Sequence, residues 1–196
     1  MDILAHALWT HAVHRGVAIK NNFNPTKKAI WIAIFFGLAP DLFSFGPYFI
    51  REISYRGLQF FSGGPPDPST IPSYIYNSYS YTHSLVLFLV VFAVVWALKG
   101  KPFWLMYGWG LHILIDIFSH STSFFPTPFL FPLSNFRING WSWGDSTFMA
   151  INYSLLFLTY IGLYIYSKKK NKTPIKWSGS FVLHYSYWWL SATTFR

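Results

Sequence analysis

The sequence predicts an all-α polytopic membrane bundle with four to five membrane helices. Three observations predict it. Aromatic residues make up 22% of the 196 positions, whereas charged residues make up only 11%, against roughly 25% in an ordinary soluble domain. The charge also sits in short clusters between long apolar runs. Such a chain is too aromatic and too poor in charge to be disordered, and 21 charged side chains cannot cover a soluble surface.

Four stretches approach the roughly 20 apolar residues that cross a bilayer: 29–50, 83–98, 103–119 and 147–167. A fifth, 2–19, is apolar but holds three histidines and an arginine. It reads either as a crossing helix or as an amphipathic helix on the membrane surface. The segment 62–81 holds four prolines and two glycines and is expected to be irregular. Residues 1–176 form one domain on this reading. The aromatic tail 177–196 is expected at the interface, without a functional reading. The acidic start at Asp2 lacks the basic leader of a cleavable signal.

Basic residues set the orientation. Arg15, Lys20, Lys27, Lys28, Lys99, Lys101, Lys168, Lys169, Lys170, Lys172 and Lys176 fall on one side of an alternating topology. That side and the C-terminus are expected to be cytoplasmic, with loops 51–81 and 120–146 outside. The net charge of +9 is explained by topology and is no sign of nucleic acid. With no cysteine, thiolate sites and disulfides are excluded, so any metal is held by His, Asp or Glu.

Ionisable residues inside membrane segments are costly and are functional candidates. His112, Asp116 and His120 recur at i, i+4 and i+8. Each step turns only about 40° around a helix and rises about 6 Å, so all three share a face. A neighbouring pair can grip one ion, and all three suit two ions bridged by Asp116. Pro40 is expected to break or kink its helix beside Asp41, where a polar cavity would tolerate the break. Thr82 is a plausible N-cap for the next helix, which leaves His83 without an ordinary capping role. Asp2 and His6 share a face at i, i+4, whereas His11 and His14 point elsewhere. On the alternating topology these groups converge at the outer boundary. The only Glu, Glu52, is expected in a loop.

Imidazoles and carboxylates without sulfur suit Zn²⁺, Mn²⁺ or Fe²⁺, with zinc first and more than one ion allowed. A metal with an open position brings the pKa of its water to near 7 and supplies hydroxide.

In order, Asp2…His6, Leu38-Ala39-Pro40-Asp41, Thr82-His83-Ser84 and Gly110-Leu111-His112-x3-Asp116-x3-His120 are followed by Pro128-x3-Pro132-Leu133-Ser134. This series resembles the bacterial family of inner-membrane-associated metal-dependent hydrolases over roughly residues 2–165. That family looks distantly similar to zinc-dependent phospholipase C and its nuclease relatives. The resemblance implies metal ligation by Asp41, His83, His112, Asp116 and His120, completed by His6 and Asp2. Three departures stand out. Phe43 or Ser44 replaces a second Asp, Ser78-Tyr79-Ser80-Tyr81 replaces His-Arg-Gly, and no His-x3-Glu follows His120.

The expectation is therefore a hydrolase of ester or phosphoester bonds, with Asp2 or Asp41 as base. Membrane lipids would surround it, and its location favours a lipid-linked substrate. A metal or proton transporter would place such a cluster near the midplane. A scaffold with a structural metal would close a four-ligand site around the ion.

Overall fold

The structure, a computed structural model, describes residues 1–57, 59 and 70–172. The tail 177–196 and the Pro/Gly-rich positions 62–69 lie outside the described residues. Six α-helices follow one another: α1 (Ile3–Lys20), α2 (Lys27–Arg56), α3 (Ser73–Thr82), α4 (Leu85–Lys99), α5 (Tyr107–Ser119) and α6 (Ser146–Lys172). A 3-10 turn, Trp104–Met106, leads into α5. There is no strand among the described residues.

Caps start the helices where the polar residues stand. Asp2 accepts from the Ala5 N–H at 3.0 Å to open α1, and Thr26 accepts from Ala29 at 3.1 Å to open α2. Helix α2 runs unbroken through both Pro40 and Pro47 for 30 residues, about 45 Å. The expected break at Pro40 does not occur. Helices in a membrane tolerate proline where neighbouring helices and Ser or Thr re-satisfy freed backbone groups. Pro40 is buried among such neighbours, and the carbonyl its missing N–H frees is that of Phe36, one turn back. The helix also extends past residue 50, so Glu52 is helical and pairs with Arg56 at 3.8 Å.

The break falls one helix later. Helices α3 and α4 meet at a 56° bend. Residues 73–81, expected to be irregular, are helical, because the prolines stop at Pro72 and leave an uninterrupted Ser/Tyr/Asn run. Thr82 ends α3 and does not open α4. Ser84 does, accepting from the Leu87 N–H at 3.1 Å while its hydroxyl donates to the Phe131 carbonyl. Leu85 N–H donates to Phe129 O at 2.9 Å, so the loop after α5 is laced onto the bend. Ser84→Ala is expected to destabilise the protein by about 1–2 kcal/mol through cap loss, read as a lower Tm in detergent. An unchanged Tm would rule out that role.

By length and composition, α2 and α6 can each cross a membrane, with a third span if α3 and α4 count as one bent unit. The expected span 103–119 instead forms a helix of 13 residues, about 20 Å, short of the roughly 30 Å hydrocarbon core. The 3-10 turn Trp104–Met106 uses up its first residues. Helix α2 is the hub, packed against α1, α3 and α5, and α6 packs on α1. Two glycines make the hub possible. A Cβ on Gly108 would lie 2.5 Å from Ala33 O and 2.8 Å from Gly37 N, and one on Gly37 would collide with Thr10 Oγ1. Backbone thus meets backbone between α2 and α5, close enough for short polar side chains to span the gap.

Candidate metal centre

Asp41 lies one turn beyond Gly37 on α2, and His112 and Asp116 lie one turn apart on α5. The close α2–α5 contact lets the His112 ring reach the Gly37 carbonyl at 2.7 Å. A carbonyl can only accept, so Nδ1 carries the proton and Nε2 presents its lone pair. His83 is the residue that ends α3 at the bend, and its Nδ1 faces Thr82 Oγ1 at 2.9 Å and Tyr79 O at 3.2 Å. The Tyr79 ring stacks on it with centroids 3.8 Å apart.

His83 Nε2 and His112 Nε2 meet at 3.0 Å, His112 with its proton committed on the far side of the ring. Asp41 Oδ1 lies 3.4 Å from His83 Nε2 and 3.7 Å from His112 Nε2, and Asp116 Oδ2 lies 3.5 and 3.1 Å from the same pair. All four donor atoms lie within 4.8 Å of one another, and all four residues are buried. A tetrahedral ion with bonds of 2.0–2.1 Å sets its ligands about 3.3 Å apart, and the five separations that involve His83 or His112 run from 3.0 to 3.7 Å. Two buried carboxylates and two facing imidazole lone pairs repel one another in a dry interior. A divalent cation removes that repulsion. Asp41, His83, His112 and Asp116 are thus a group that can hold a metal ion.

The second oxygen of Asp116 faces other partners. Oδ1 lies 3.0 Å from His6 Nε2 and 3.4 Å from His120 Nε2, accepts from Ser119 Oγ at 3.2 Å, and contacts the Met1 nitrogen. The His6 ring stacks on His112 with centroids 3.6 Å apart. His120 follows α5 in an extended conformation, not as a further helical turn. Residues 140–143 pin it there: the N–H groups of Gly140, Trp141 and Trp143 donate to the carbonyls of His120, Phe118 and Ser119, each at 2.9 Å. These bonds satisfy carbonyls that a helix end leaves open.

The structure therefore brings His6, Asp41, His83, His112, Asp116 and His120 around one carboxylate. Asp2 is not brought to the cage by its side chain. Its Oδ1 accepts from the Ala5 N–H and from Tyr153 OH at 2.9 Å, which makes it a helix cap tied to α6. His11 pairs with Tyr160 OH at 2.7 Å, and His14 is buried against the Tyr107 ring, both away from the cage. Sequence reasoning missed Gly37, Ser44, Tyr79, Thr82 and Ser119 around the ligands. Spacing held part of the signal, since Gly37 precedes Asp41, and Tyr79 precedes His83, by one helical turn.

A family model described as YdjM inner membrane protein matches residues 1–195. The chain belongs to that family. No curated protein and no solved structure matches it. Membership in the YdjM inner membrane protein family, with helices apolar enough to cross a bilayer, makes it a bacterial inner-membrane protein. Within that YdjM-family bundle, the buried Asp/His group is the feature with chemistry to assign.

Proposed function

We propose that the protein is a membrane-bound, metal-dependent hydrolase acting on an ester or phosphoester, with a lipid-linked substrate at the outer face of the membrane. The observation that carries the reading is the division of Asp116. One carboxylate oxygen completes the Asp41/His83/His112 group, and the other faces His6 and His120. This is more donors than one structural ion uses, and it suits two ions sharing a carboxylate. Zinc fits the donor set first. When bound, the metal supplies Lewis acidity and a nucleophile at neutral pH.

The chain's own residues have separate tasks. His83 and His112 offer Nε2, oriented by hydrogen bonds from Nδ1. The side chain of Asp41 is 9% accessible against 1% for Asp116, so the Asp41 edge is where water and substrate approach. Asp41 is the candidate to accept a proton, through the oxygen that does not face His83 and His112. Four to five crossings with the basic ends cytoplasmic complete the proposal. Lys170 Nζ donates to Ile19 O at 2.6 Å, so basic ends of α1 and α6 lie together. Asp41 lies 14 residues beyond Lys27 on α2, about 21 Å from that basic end. The ordered motifs, which resemble those of the inner-membrane metal-dependent hydrolase family, support the same chemistry.

A second reading has its own support. Asp41, His83, His112 and Asp116 alone make a complete, buried four-ligand set, as in a structural site. Detergent-purified protein, assayed on phosphodiester, phosphomonoester and carboxylic ester substrates before and after chelation, separates the two. Turnover that chelator removes and zinc restores is expected, with Asp41→Asn retaining less than about 1% of it, a loss within the range for a positioned proton acceptor. Bound metal without turnover on any substrate class, lost only on unfolding, would establish the structural reading instead.

A further inference from the structure

The ligand His83 is followed outward by a chain of hydroxyls that no catalytic role uses. Its Nδ1 meets Thr82 Oγ1 at 2.9 Å, Thr82 Oγ1 meets Ser44 Oγ at 2.6 Å, and Ser44 Oγ reaches Pro40 O at 2.8 Å. The last acceptor is a carbonyl, so Ser44 must spend its only proton there. Thr82 Oγ1 has a carbonyl acceptor of its own, Ser78 O at 3.0 Å, besides Ser44 Oγ, so its one proton goes to one of these and its oxygen is left to accept from His83 Nδ1–H. The opposite tautomer fails on proton count. With the proton on Nε2, Thr82 would have to donate to Nδ1 and abandon Ser78 O, and Ser44 would need one proton for both Pro40 O and Thr82 Oγ1. It would also set the Nδ1 lone pair against Tyr79 O at 3.2 Å.

The geometry points to Ser44 and Thr82 as positioning residues that hold His83 in its Nδ1–H tautomer, with the Nε2 lone pair aimed into the cage. The chain joins three elements at the bend: Ser44 from α2, Thr82 from the end of α3, and Trp109 of α5, whose Nε1–H holds Thr82 O at 2.6 Å. His83 thus cannot rotate without unlocking the α2–α3 contact. Second-shell partners of this kind orient a metal-binding imidazole, and losing one costs about 10–100-fold in metal affinity.

This inference rests on the metal reading of the cage, but its test does not depend on turnover. The full chain, labelled with ¹⁵N-histidine in detergent, would be compared as wild type, Thr82→Val, Thr82→Ser and Ser44→Ala, with His83→Gln assigning the His83 resonances. The wild type is expected to show a protonated Nδ1 at His83 with and without zinc. Thr82→Val keeps the shape of threonine and is expected to bind zinc about 10–100-fold more weakly in competition with a chromophoric chelator. Thr82→Ser should restore binding, and Ser44→Ala should weaken it in the same direction. An Nε2–H tautomer in wild type, or wild-type zinc affinity in a folded Thr82→Val, would overturn the proposal. Absence of zinc binding by wild type would refute the metal reading alone, because the resonances still decide the tautomer.

Discussion

Asp116→Ala is expected to strip the protein of metal entirely, whereas His6→Ala should remove only part of it. Asp116 is the one residue that faces both sets of imidazoles, through different oxygens. Zinc in a structural site is bound by about 10–16 kcal/mol, so an even share among four ligands is about 3 kcal/mol. That corresponds to roughly a hundredfold in affinity, and a shared ligand forfeits it at both positions. Elemental mass spectrometry of purified wild type, Asp116→Ala, His6→Ala and the distant control Glu52→Gln reads the result directly. Two equivalents in wild type, one in His6→Ala and none in Asp116→Ala are expected, with Glu52→Gln unchanged. One equivalent in both wild type and His6→Ala would confine the metal to the Asp41/His83/His112/Asp116 group and end the two-ion arrangement. No metal in wild type after incubation with zinc or manganese would sink the hydrolase proposal.

The second large effect is expected far from any ligand in sequence. Gly108→Val should cost about 3 kcal/mol or more, above the usual overpacking range of about 1–3 kcal/mol, because the obstruction is backbone on both sides. Ala33 O and Gly37 N lie where the new Cβ would be, and neither can swing away as a side chain would. Separating α2 from α5 also pulls the Gly37 carbonyl from His112 Nδ1 and Asp41 from Asp116, so zinc binding and thermal stability should fall together. Gly162→Val on α6 is the comparison, since nothing lies within 4 Å of its Cβ position. Equal Tm and equal zinc content in the two variants would mean that the α2–α5 contact does not set the cage.

Much of this protein was legible before any coordinates. Helical class followed from long apolar runs, and the ligand types followed from six polar positions that a bilayer penalises. The i, i+4 relation of His112 and Asp116 is a property of helical periodicity, which is local and therefore readable from spacing. His120 was placed on the same periodicity, yet it reaches Asp116 Oδ1 from an extended residue held by the 140–143 strap. The neighbourhood was foreseen there and the means was not.

Where local rules gave the wrong answer, distant partners had overruled them. Proline at position 40 removes one backbone donor, but burial against neighbouring helices keeps α2 continuous. The bend belongs instead to His83, where Ser84 caps α4 and the 129–131 loop supplies the bonds. Thr82, an apparent cap by pattern, instead ends α3, facing His83 Nδ1 at 2.9 Å and Ser44, 38 positions away, at 2.6 Å. Asp2, placed among the ligands by motif, caps α1 because its own helix and Tyr153 claim its oxygen. The sequence alone determined which side chains are candidates for the chemistry, since residue type and helical spacing are written in it. Only tertiary structure decided which oxygen of Asp116 faces which histidine and which ring nitrogen is free. Those depend on contacts between segments up to 115 residues apart, for which a one-dimensional pattern has no term.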